Sequence, residues 1–256
     1  MLLHLSRLLY TTSQEIMTKI IGHRGAAGLA LENSRESMRA ALLYSLEAIE
    51  FDVHLTKDDQ VVVLHDKHTK RVANEKALVR QKTLSELQSL VLHNKQSIPT
   101  LDEVLKALGK TNVIIDIKDR GIASLLPEIL KKNPKIKASF ASFKHDELRI
   151  IRKLLPSAQI YVLEHFSPIE IIYSAKRLGA SGIGLNKWMM NPLIYRLAKR
   201  HKLQFYVYTL NSPWLAKFYN RFYPDVAICT DHPERFASLK LKKKSEPKPV
   251  LKLVRK

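Results

Sequence analysis

Acidic side chains recur within short apolar runs of this sequence, at positions that would bring their carboxylates together. Glu50 and Asp52 stand two residues apart in one run, so both point to the same side if that run is a β-strand. Asp116 lies in a later run of the same kind. Buried carboxylates are unstable together unless a cation neutralises them or one of them takes a proton. The three therefore predict an all-oxygen site for one divalent cation, Mg2+ or Ca2+, and a structural ion network in which Asp116 pairs with Lys118 is the alternative.

Two histidines are candidates for proton transfer beside these acids. His23 ends the first apolar run, and the adjacent Arg24 offers a planar cation that suits a phosphate oxygen. His65 ends the third run, close in sequence to the acids of the second. We therefore predict His23 and His65 as a general acid–base pair. We expect the other eight histidines to be surface or packing residues, among them His54, His68 and His232.

The second and third apolar runs must form an antiparallel hairpin. Only Thr56–Gln60 separate them, whereas a parallel crossover needs a dozen residues or more. With Asp58 and Asp59 as a two-residue loop, the pairing places His65 directly opposite Asp52. Residues opposite each other share a face, so this register predicts that an imidazole and the carboxylates converge.

Strand-like runs alternate with helical patterns along nearly the whole chain, which is typical of parallel βαβ units. The nine strand candidates are Ile20–His23, Ala48–Leu55, Val61–His65, Val113–Ile117, Ala138–Ser142, Gln159–Leu163, Gly182–Leu185, Gln204–Thr209 and Val226–Thr230. Because the third is only the hairpin partner of the second, eight parallel strands remain. We therefore predict an α/β fold, a (β/α)8 TIM barrel with one extra hairpin strand, whose chemistry lies at the carboxyl ends of the strands.

Capping patterns indicate where helices begin and end. Asn33 followed by Glu36 predicts a helix with Asn33 as its N-cap. Pro99–Glu103 opens another helix, and Gly109 ends it. Lys67–Pro99 is the longest section before the next barrel strand, and we predict it to be a small insertion after strand two that overhangs the active face.

The chain is strongly basic, but its charge is unevenly placed. The formal net charge of the 256 residues is +19, and Lys240–Lys256 alone carries eight basic residues and one acidic residue. Such an excess suits anionic lipid or nucleic acid. We interpret this segment as a basic mobile tail and a candidate for weak contact with anionic membranes. We expect no specific nucleic-acid partner, and the sequence leaves the oligomeric state open.

The length fits one barrel, and we expect three parts. Residues 1–16 form a dispensable N-terminal extension because the first strand follows Met17 closely, residues 17–239 form the barrel domain, and residues 240–256 form the tail. No apolar run approaches the ~20 residues that span a bilayer. The single Cys229 excludes an internal disulfide, and the N-terminal stretch lacks a signal-peptide cleavage pattern, so we expect a cytoplasmic protein.

The predicted site residues stand in an order that resembles the motifs of the glycerophosphodiester phosphodiesterase family. Each motif is weak singly, but the ordered set is specific and runs from Ile20 to Pro233. The matching residues are His23-Arg24-Gly25, Glu32-Asn33, Glu50-Phe51-Asp52, Thr56, Asp58, Val61, Val62, His65, Asp66, Ile98-Pro99-Thr100-Leu101, Asp116-Ile117-Lys118, Ser142-Phe143, Tyr208-Thr209-Leu210-Asn211 and Thr230-Asp231-His232-Pro233.

The resemblance implies a TIM barrel that cleaves glycerophosphodiesters to sn-glycerol 3-phosphate and an alcohol. It also implies one divalent metal on the two acids of the E-x-D motif and the acid of the E-x-K motif. The substrate-binding residues expected are Arg24, Glu32, Lys118 and Tyr208. The sequence departs from the family pattern at Asp116, where glutamate is usual, at Leu31, where proline is usual, and at Tyr208, where tryptophan is usual.

Two other functions remain open from the sequence. One is a lysophospholipase D-type phosphodiesterase, which would use the same barrel, metal and histidines with an apolar groove for an acyl chain. The other is a basic nucleic-acid-binding barrel without turnover, which would show salt-dependent binding to DNA and no phosphodiesterase activity.

Overall fold

A computed structural model describes residues 19–164, 167 and 169–239. The predictions for residues 1–16 and for the tail 240–256 lie outside the described residues. None of the helices in the described part of the chain is long and apolar enough to cross a lipid bilayer.

The described residues form a closed parallel barrel, which confirms the predicted fold. The strands are β1 (Ile20–Gly22), β2 (Ala48–Leu55), β3 (Val61–Val63), β4 (Asn112–Ile117), β5 (Lys137–Ser142), β6 (Gln159–Leu163), β7 (Gly182–Asn186), β8 (Gln204–Tyr208) and β9 (Val226–Thr230). Each barrel strand pairs in parallel with the next, and β1 closes the ring by pairing with both β2 and β9. The ninth strand, β3, lies antiparallel to β2 as the extra hairpin strand.

Eight α-helices alternate with the strands in the described residues. They are α1 (Arg35–Leu42), α2 (Leu84–Gln88), α3 (Leu101–Leu108), α4 (Leu126–Lys132), α5 (His145–Leu154), α6 (Glu170–Arg177), α7 (Pro192–Arg200) and α8 (Pro213–Phe222). Short 3-10 turns span Val79–Gln81, Lys187–Met189 and Pro233–Leu239. Helix α3 begins and ends as predicted, with Thr100 and Glu103 in a reciprocal capping box and Gly109 at a φ of 63° after its last turn.

The cap predicted for α1 is wrong by one residue. Ser34 is the N-cap, and its hydroxyl accepts from the backbone N–H of Ser37, whose own hydroxyl accepts from the backbone N–H of Ser34. Asn33 instead has a left-handed backbone, with a φ of 56°. Its buried side chain leaves the helix and hydrogen-bonds Asp52. The amide thus holds a site carboxylate rather than a helix end.

The hairpin register predicted from a two-residue loop is also wrong by one residue. Val53 pairs with Val63, so Leu64 lies opposite Asp52, and its N–H donates to the Asp52 carbonyl at 3.1 Å. The loop is longer because Thr56 and Gln60 bond each other across it. The Thr56 hydroxyl accepts from the Gln60 N–H, and the Thr56 N–H donates to the Gln60 carbonyl. His65 therefore reaches the barrel mouth from the loop after β3 and not from a paired strand position.

Period-two alternation along β2 divides its side chains between two environments. Ile49, Phe51 and Val53 face outwards and pack in the core between the strands and the helices. Glu50 and Asp52 face the interior of the barrel and line a cavity at its carboxyl end. The same strand thus anchors the core and presents two carboxylates.

The insertion between β3 and α3 has a small core of its own. Its buried apolar side chains pack together with two from β3 and its extension, and they are Val62, Leu64, Val72, Ala73, Ala77, Val79, Leu87, Leu92 and Ile98. Arg71 of this insertion bonds both Glu32 and Asp66, which lie beside the barrel mouth. The insertion is therefore fixed to the active face of the barrel.

Candidate active site

A cavity of about 450 Å³ opens at the carboxyl ends of the strands and brings together eight of the nine predicted site residues. They are His23, Arg24, Glu50, Asp52, His65, Asp116, Lys118 and Tyr208. The ninth, Glu32, lies behind Arg24 and accepts a hydrogen bond from its guanidinium at 2.8 Å. A larger cavity, about 1000 Å³, lies around the opposite barrel end and contains none of the nine.

Three buried carboxylates form the centre of this cavity. The parallel register of β2 and β4 places Asp52 beside Asp116, and Glu50 lies one pleat below. One oxygen atom of each carboxylate lies within 4.8 Å of an oxygen of the other two. Burial and the charge of Asp52 raise the pKa of Glu50 to about 7. The burial of these carboxylates together therefore disfavours the charged form of Glu50.

Cations of the protein neutralise part of that charge. Lys118 Nζ lies 2.5 Å from Asp116 Oδ2 and 2.9 Å from Asp52 Oδ1, so the predicted pairing of Lys118 with Asp116 is present. Burial alone would raise the pKa of Asp52, but Lys118 and Arg24 hold it well below its usual value. Burial raises the pKa of Asp116, and its Oδ1 atom is buried without a hydrogen-bond partner among the described residues.

This donor set fits a hard divalent cation. The cluster offers only carboxylate oxygens. These are the ligands that Mg2+ and Ca2+ prefer, whereas zinc more often takes nitrogen or sulfur ligands. The unpartnered Asp116 Oδ1 would otherwise incur the full cost of desolvation, and burial beside Asp52 raises the pKa of Glu50. Glu50, Asp52 and Asp116 are therefore the residues that could hold a metal.

His23 is bonded to an acid that was not among the predicted site residues. Its Nδ1 atom lies 2.6 Å from Asp231 Oδ1, directly after β9. Asn211 fixes that carboxylate by donating to its Oδ2 atom at 2.7 Å and accepting from its backbone N–H. Burial alone would lower the pKa of His23, but the Asp231 hydrogen bond and the charge of Glu50 raise it above its usual value.

The pKa of His65 is shifted in the opposite direction to that of His23. Its Nδ1 atom lies 2.7 Å from Asp66 Oδ1, and a third of its side chain is exposed. Burial lowers the pKa of His65, the charge of Asp52 opposes this, and the nearby Arg24 lowers it further. The two imidazoles thus differ in proton affinity, which is the division of properties that an acid–base pair needs.

Arg24 is held by three acidic side chains around the cavity. Its guanidinium bonds Glu32 and lies 3.4 Å from Asp52, while its backbone N–H donates to Glu50 at 3.0 Å. The backbone of Arg24 is left-handed, with a φ of 50°, and the following Gly25 has a φ of 85°. A Cβ atom on Gly25 would lie 2.6 Å from the backbone of Ser37, so only glycine fits there.

His54 was predicted to be a surface or packing residue, and it is buried, but it also lies at the cavity. It is buried and lines the cavity, its Nδ1 lies 2.7 Å from Asp119 Oδ2, and its Nε2 donates to the His65 backbone carbonyl at 3.0 Å. The signal was its spacing, because position 54 shares the inner face of β2 with positions 50 and 52. Asp231 also had a signal, since it directly follows the last strand.

The chain is similar to known phosphodiesterases over most of its length. A family model described as the glycerophosphoryl diester phosphodiesterase family matches residues 23–235. A glycerophosphodiester phosphodiesterase of Caldanaerobacter subterraneus subsp. tengcongensis is 27% identical, over 76% of this chain and 86% of that protein. A human lysophospholipase D is 34% identical over 41% of this chain and 38% of that protein.

The barrel also resembles solved structures. That of an Oleispira antarctica phosphodiesterase, in complex with the product sn-glycerol-3-phosphate, superposes with a TM-score of 0.81 at 22% identity. The match covers 88% of this chain and 97% of that one. At this level of identity the likeness establishes the shared fold.

Proposed function

The chain belongs to the glycerophosphoryl diester phosphodiesterase family and is a hydrolase of that class, and on this premise we propose that it cleaves glycerophosphodiesters with one divalent cation and two histidines. The products would be sn-glycerol 3-phosphate and an alcohol. The observation that carries the proposal is the cluster of three buried carboxylates between two imidazoles at one barrel mouth. We further propose residues 17–239 as the catalytic domain and a cytoplasmic location.

The proposed metal ligands are Glu50, Asp52 and Asp116. A divalent cation bound there would neutralise a phosphodiester oxygen and the negative charge that develops on it. Arg24 and Lys118 line the same cavity and supply two further positive charges for the phosphoryl group. Lys118 also contacts two of the carboxylates, Asp52 and Asp116, so its charge lies directly beside the proposed metal ligands.

The proton transfers follow from the two imidazole environments. His65, with its lowered pKa, would accept the proton of the substrate's own glycerol hydroxyl as that oxygen bonds to phosphorus. His23, with its raised pKa, would protonate the departing alkoxide as the original ester bond breaks. The products of this step are a cyclic phosphate and the alcohol. Water would then open the ring, with the two histidines in exchanged roles.

The remaining predicted residues would orient the substrate. Glu32 fixes the Arg24 guanidinium through a hydrogen bond, and Arg71 supports Glu32 from behind. Tyr208 ends β8 on the wall of the cavity, where its ring can contact the glycerol or the headgroup. Tyrosine in place of tryptophan leaves a smaller apolar surface and adds a hydroxyl at this wall.

A lysophospholipase D activity is the second candidate function. The 34% identity to the human lysophospholipase D over 118 residues favours it, and so does the apolar surface beside the cavity described below. Turnover of sn-glycero-3-phosphocholine and of a lysophosphatidylcholine at equal metal concentration separates the two. The non-catalytic nucleic-acid-binding alternative has no support from the comparisons, because the family model that matches is that of phosphodiesterases and the two relatives described above are named as enzymes.

The decisive experiment combines metal titration with one substitution. We expect turnover of sn-glycero-3-phosphocholine with Mg2+ or Ca2+ and its loss in EDTA. Asp116→Asn removes a charge from the proposed ligand set, so activity should fall ~100-fold and more metal should be needed for half-maximal turnover. Asp116→Glu should be far milder, because it keeps the charge and restores the reach usual in the family.

A matched control is Asp225→Asn, which removes an exposed carboxylate paired with Lys199 away from the cavity. It should leave both turnover and metal dependence unchanged. If Asp116 only pairs with Lys118, Asp116→Asn will lower the unfolding temperature and leave the metal dependence as it is. That result would overturn the three-carboxylate metal site.

A further inference from the structure

Four large apolar side chains are exposed beside the mouth of the catalytic cavity. Trp188 is 81% exposed, Leu193 55%, Trp214 75% and Phe218 43%. We call these four residues the aromatic rim. Indole rings are rarely left in water without a partner, because each carries a large apolar surface with one polar edge.

The rim is one surface at the carboxyl end of the barrel. Trp188 lies in the turn after β7, and Trp214 lies in the first turn of α8, after the neighbouring strand β8. Lys187 joins the two segments, because its Nζ donates to the Thr209 carbonyl at 2.7 Å and its own carbonyl accepts from Tyr219 of α8. These hydrogen bonds hold the two segments that carry the indoles next to each other.

The rim also adjoins the catalytic cavity directly. Asn186, two residues before Trp188, lines the cavity wall, and so does Tyr208, the last residue of β8. A flat partner that covered Trp188 and Trp214 would therefore face the cavity mouth.

The charge around the rim is of one sign. Residues 171–224 contain no Asp or Glu and nine Lys or Arg. Lys199 and Lys202 belong to the opposite barrel end, where they line the larger cavity, and Lys199 pairs with Asp225. Lys187 and Lys217 are immediate sequence neighbours of rim residues. The acids that follow β9, Asp231 and Glu234, are paired with His23 and His232. The rim thus combines exposed indoles with the positive charges of Lys187 and Lys217, in a stretch of sequence without acidic residues.

We propose that the aromatic rim docks on the surface of an anionic lipid bilayer. Indole rings prefer the level of the lipid headgroups, where their apolar body is covered and the N–H stays hydrated. Each lysine or arginine near an anionic surface adds attraction that salt screens. Docking in this way would turn the cavity mouth towards the bilayer, so that a diester leaving or projecting from the lipid surface reaches the carboxylates. The proposal concerns binding and stands apart from the reaction proposed above.

The two rim tryptophans make the test direct, because the chain contains no others. Vesicles of equal parts phosphatidylglycerol and phosphatidylcholine should shift the tryptophan emission of the full-length protein to shorter wavelength. Brominated lipid in the same vesicles should quench that emission. Vesicles of pure phosphatidylcholine should have a much smaller effect, and added salt should reverse the shift. Trp188→Phe and Trp214→Phe keep an aromatic ring and leave one reporter each, so each indole can be followed alone.

Removal of both indoles tests the surface by an independent measurement. The Trp188→Ala, Trp214→Ala double variant should bind the anionic vesicles ~10-fold more weakly or worse in co-sedimentation, since burial of even one large apolar side chain contributes that much. Its matched control is Leu154→Ala, which removes an exposed apolar side chain at the far end of α5. The control should bind as the wild type does, and both proteins should keep their circular dichroism spectra.

Three results would overturn the proposal. Vesicle binding with no change in emission would place the contact elsewhere, as in the basic segment 240–256. A larger emission shift with short duplex DNA than with vesicles would identify the surface as a nucleic-acid site. An emission maximum that depends on protein concentration without vesicles would show that a second copy of the chain covers the rim.

Discussion

His23 and His65 carry the same imidazole group, and their neighbouring residues shift the two pKa values in opposite directions. The carboxylate of Asp231 favours the protonated form of His23, whereas the burial of His65 beside the cation Arg24 favours its neutral form. Each ring has its own carboxylate partner on Nδ1, at 2.6 and 2.7 Å, so its Nε2 is the atom free to meet a substrate. These two environments support the proposed roles of His65 as the base and His23 as the acid.

The pairing of His23 with Asp231 predicts a shift in the pH dependence of turnover. Asp231→Asn removes the negative charge while an oxygen remains to accept the hydrogen bond, so the pKa of His23 should fall. The limb of the pH–rate profile that belongs to His23 should then move to lower pH, whether His23 acts as acid or as base. Turnover of a soluble diester across the pH range measures this, with Asp225→Asn as the control. A profile that stays in place would exclude coupling of Asp231 to the reaction.

At the residue scale, the sequence identified those site residues that belong to a motif or have the spacing of one strand face. Glu50, Asp52 and Asp116 were found because strand geometry puts them on one inner face, and the register of β2 and β4 places two of them side by side. The role of Asn33 was not found, because both an N-cap and a carboxylate partner are ordinary uses of an asparagine. Only the left-handed backbone at that position decides between them, and a single sequence does not specify it.

At the scale of elements, alternation predicted the strands and the caps predicted one helix. The bounds of β2, β6 and β9 agree with the sequence analysis residue for residue. The prediction of the hairpin register was wrong because the loop length depends on side-chain hydrogen bonds within the turn. Thr56 bonds Asp58 and Gln60, which stabilises a loop longer than two residues. The hydrophobic pattern could not reveal the correct pairing either, because Val61, Val62 and Val63 are apolar on both faces of the strand.

The insertion after β3 should be stabilised by its own core. Leu87 is completely buried there, so Leu87→Ala should lower the free energy of unfolding by about 2–5 kcal/mol. Because Arg71 ties this insertion to Glu32 and Asp66, turnover should fall as well. Chemical denaturation and a turnover assay measure the two effects. Leu154→Ala, at an exposed position, should change stability by less than about 0.5 kcal/mol. Unchanged stability in Leu87→Ala would mean that the insertion folds without this core.

At the scale of the whole molecule, the feature that matters for the proposed site is which charged residues lie at the carboxyl end of the barrel. The acids of the cavity lie at the carboxyl end of the barrel, where Arg24 and Lys118 line the same cavity, and Lys187 and Lys217 are sequence neighbours of the aromatic rim. A phosphodiester is anionic, so these positive charges near the proposed metal ligands would raise its local concentration at the cavity. The net charge of +19 and the basic excess of residues 240–256 could be read from the sequence, but the position of Lys199 and Lys202 at the opposite barrel end required the positions of the elements.

The division of the chain into extension, barrel and tail predicts the effect of truncation. Every site residue lies between His23 and Asp231, and the family match spans residues 23–235, so removal of residues 1–16 should leave folding and turnover unchanged. Removal of residues 241–256 should also leave turnover of a soluble diester unchanged. It should weaken co-sedimentation with anionic vesicles through the loss of basic residues, while the tryptophan emission shift persists.

Removal of residues 1–21 is the matched control, because it takes Ile20 and Ile21 from β1. That strand closes the barrel by pairing with both β2 and β9, and Ile20 is 1% exposed. Loss of two of its three residues should leave unpaired strand edges on both neighbours and a protein that does not fold. Circular dichroism and turnover on the three truncated proteins give the comparison. If removal of residues 1–16 alone also abolished folding, the barrel would need contacts from the segment before β1, and the proposed boundary at residue 17 would be wrong.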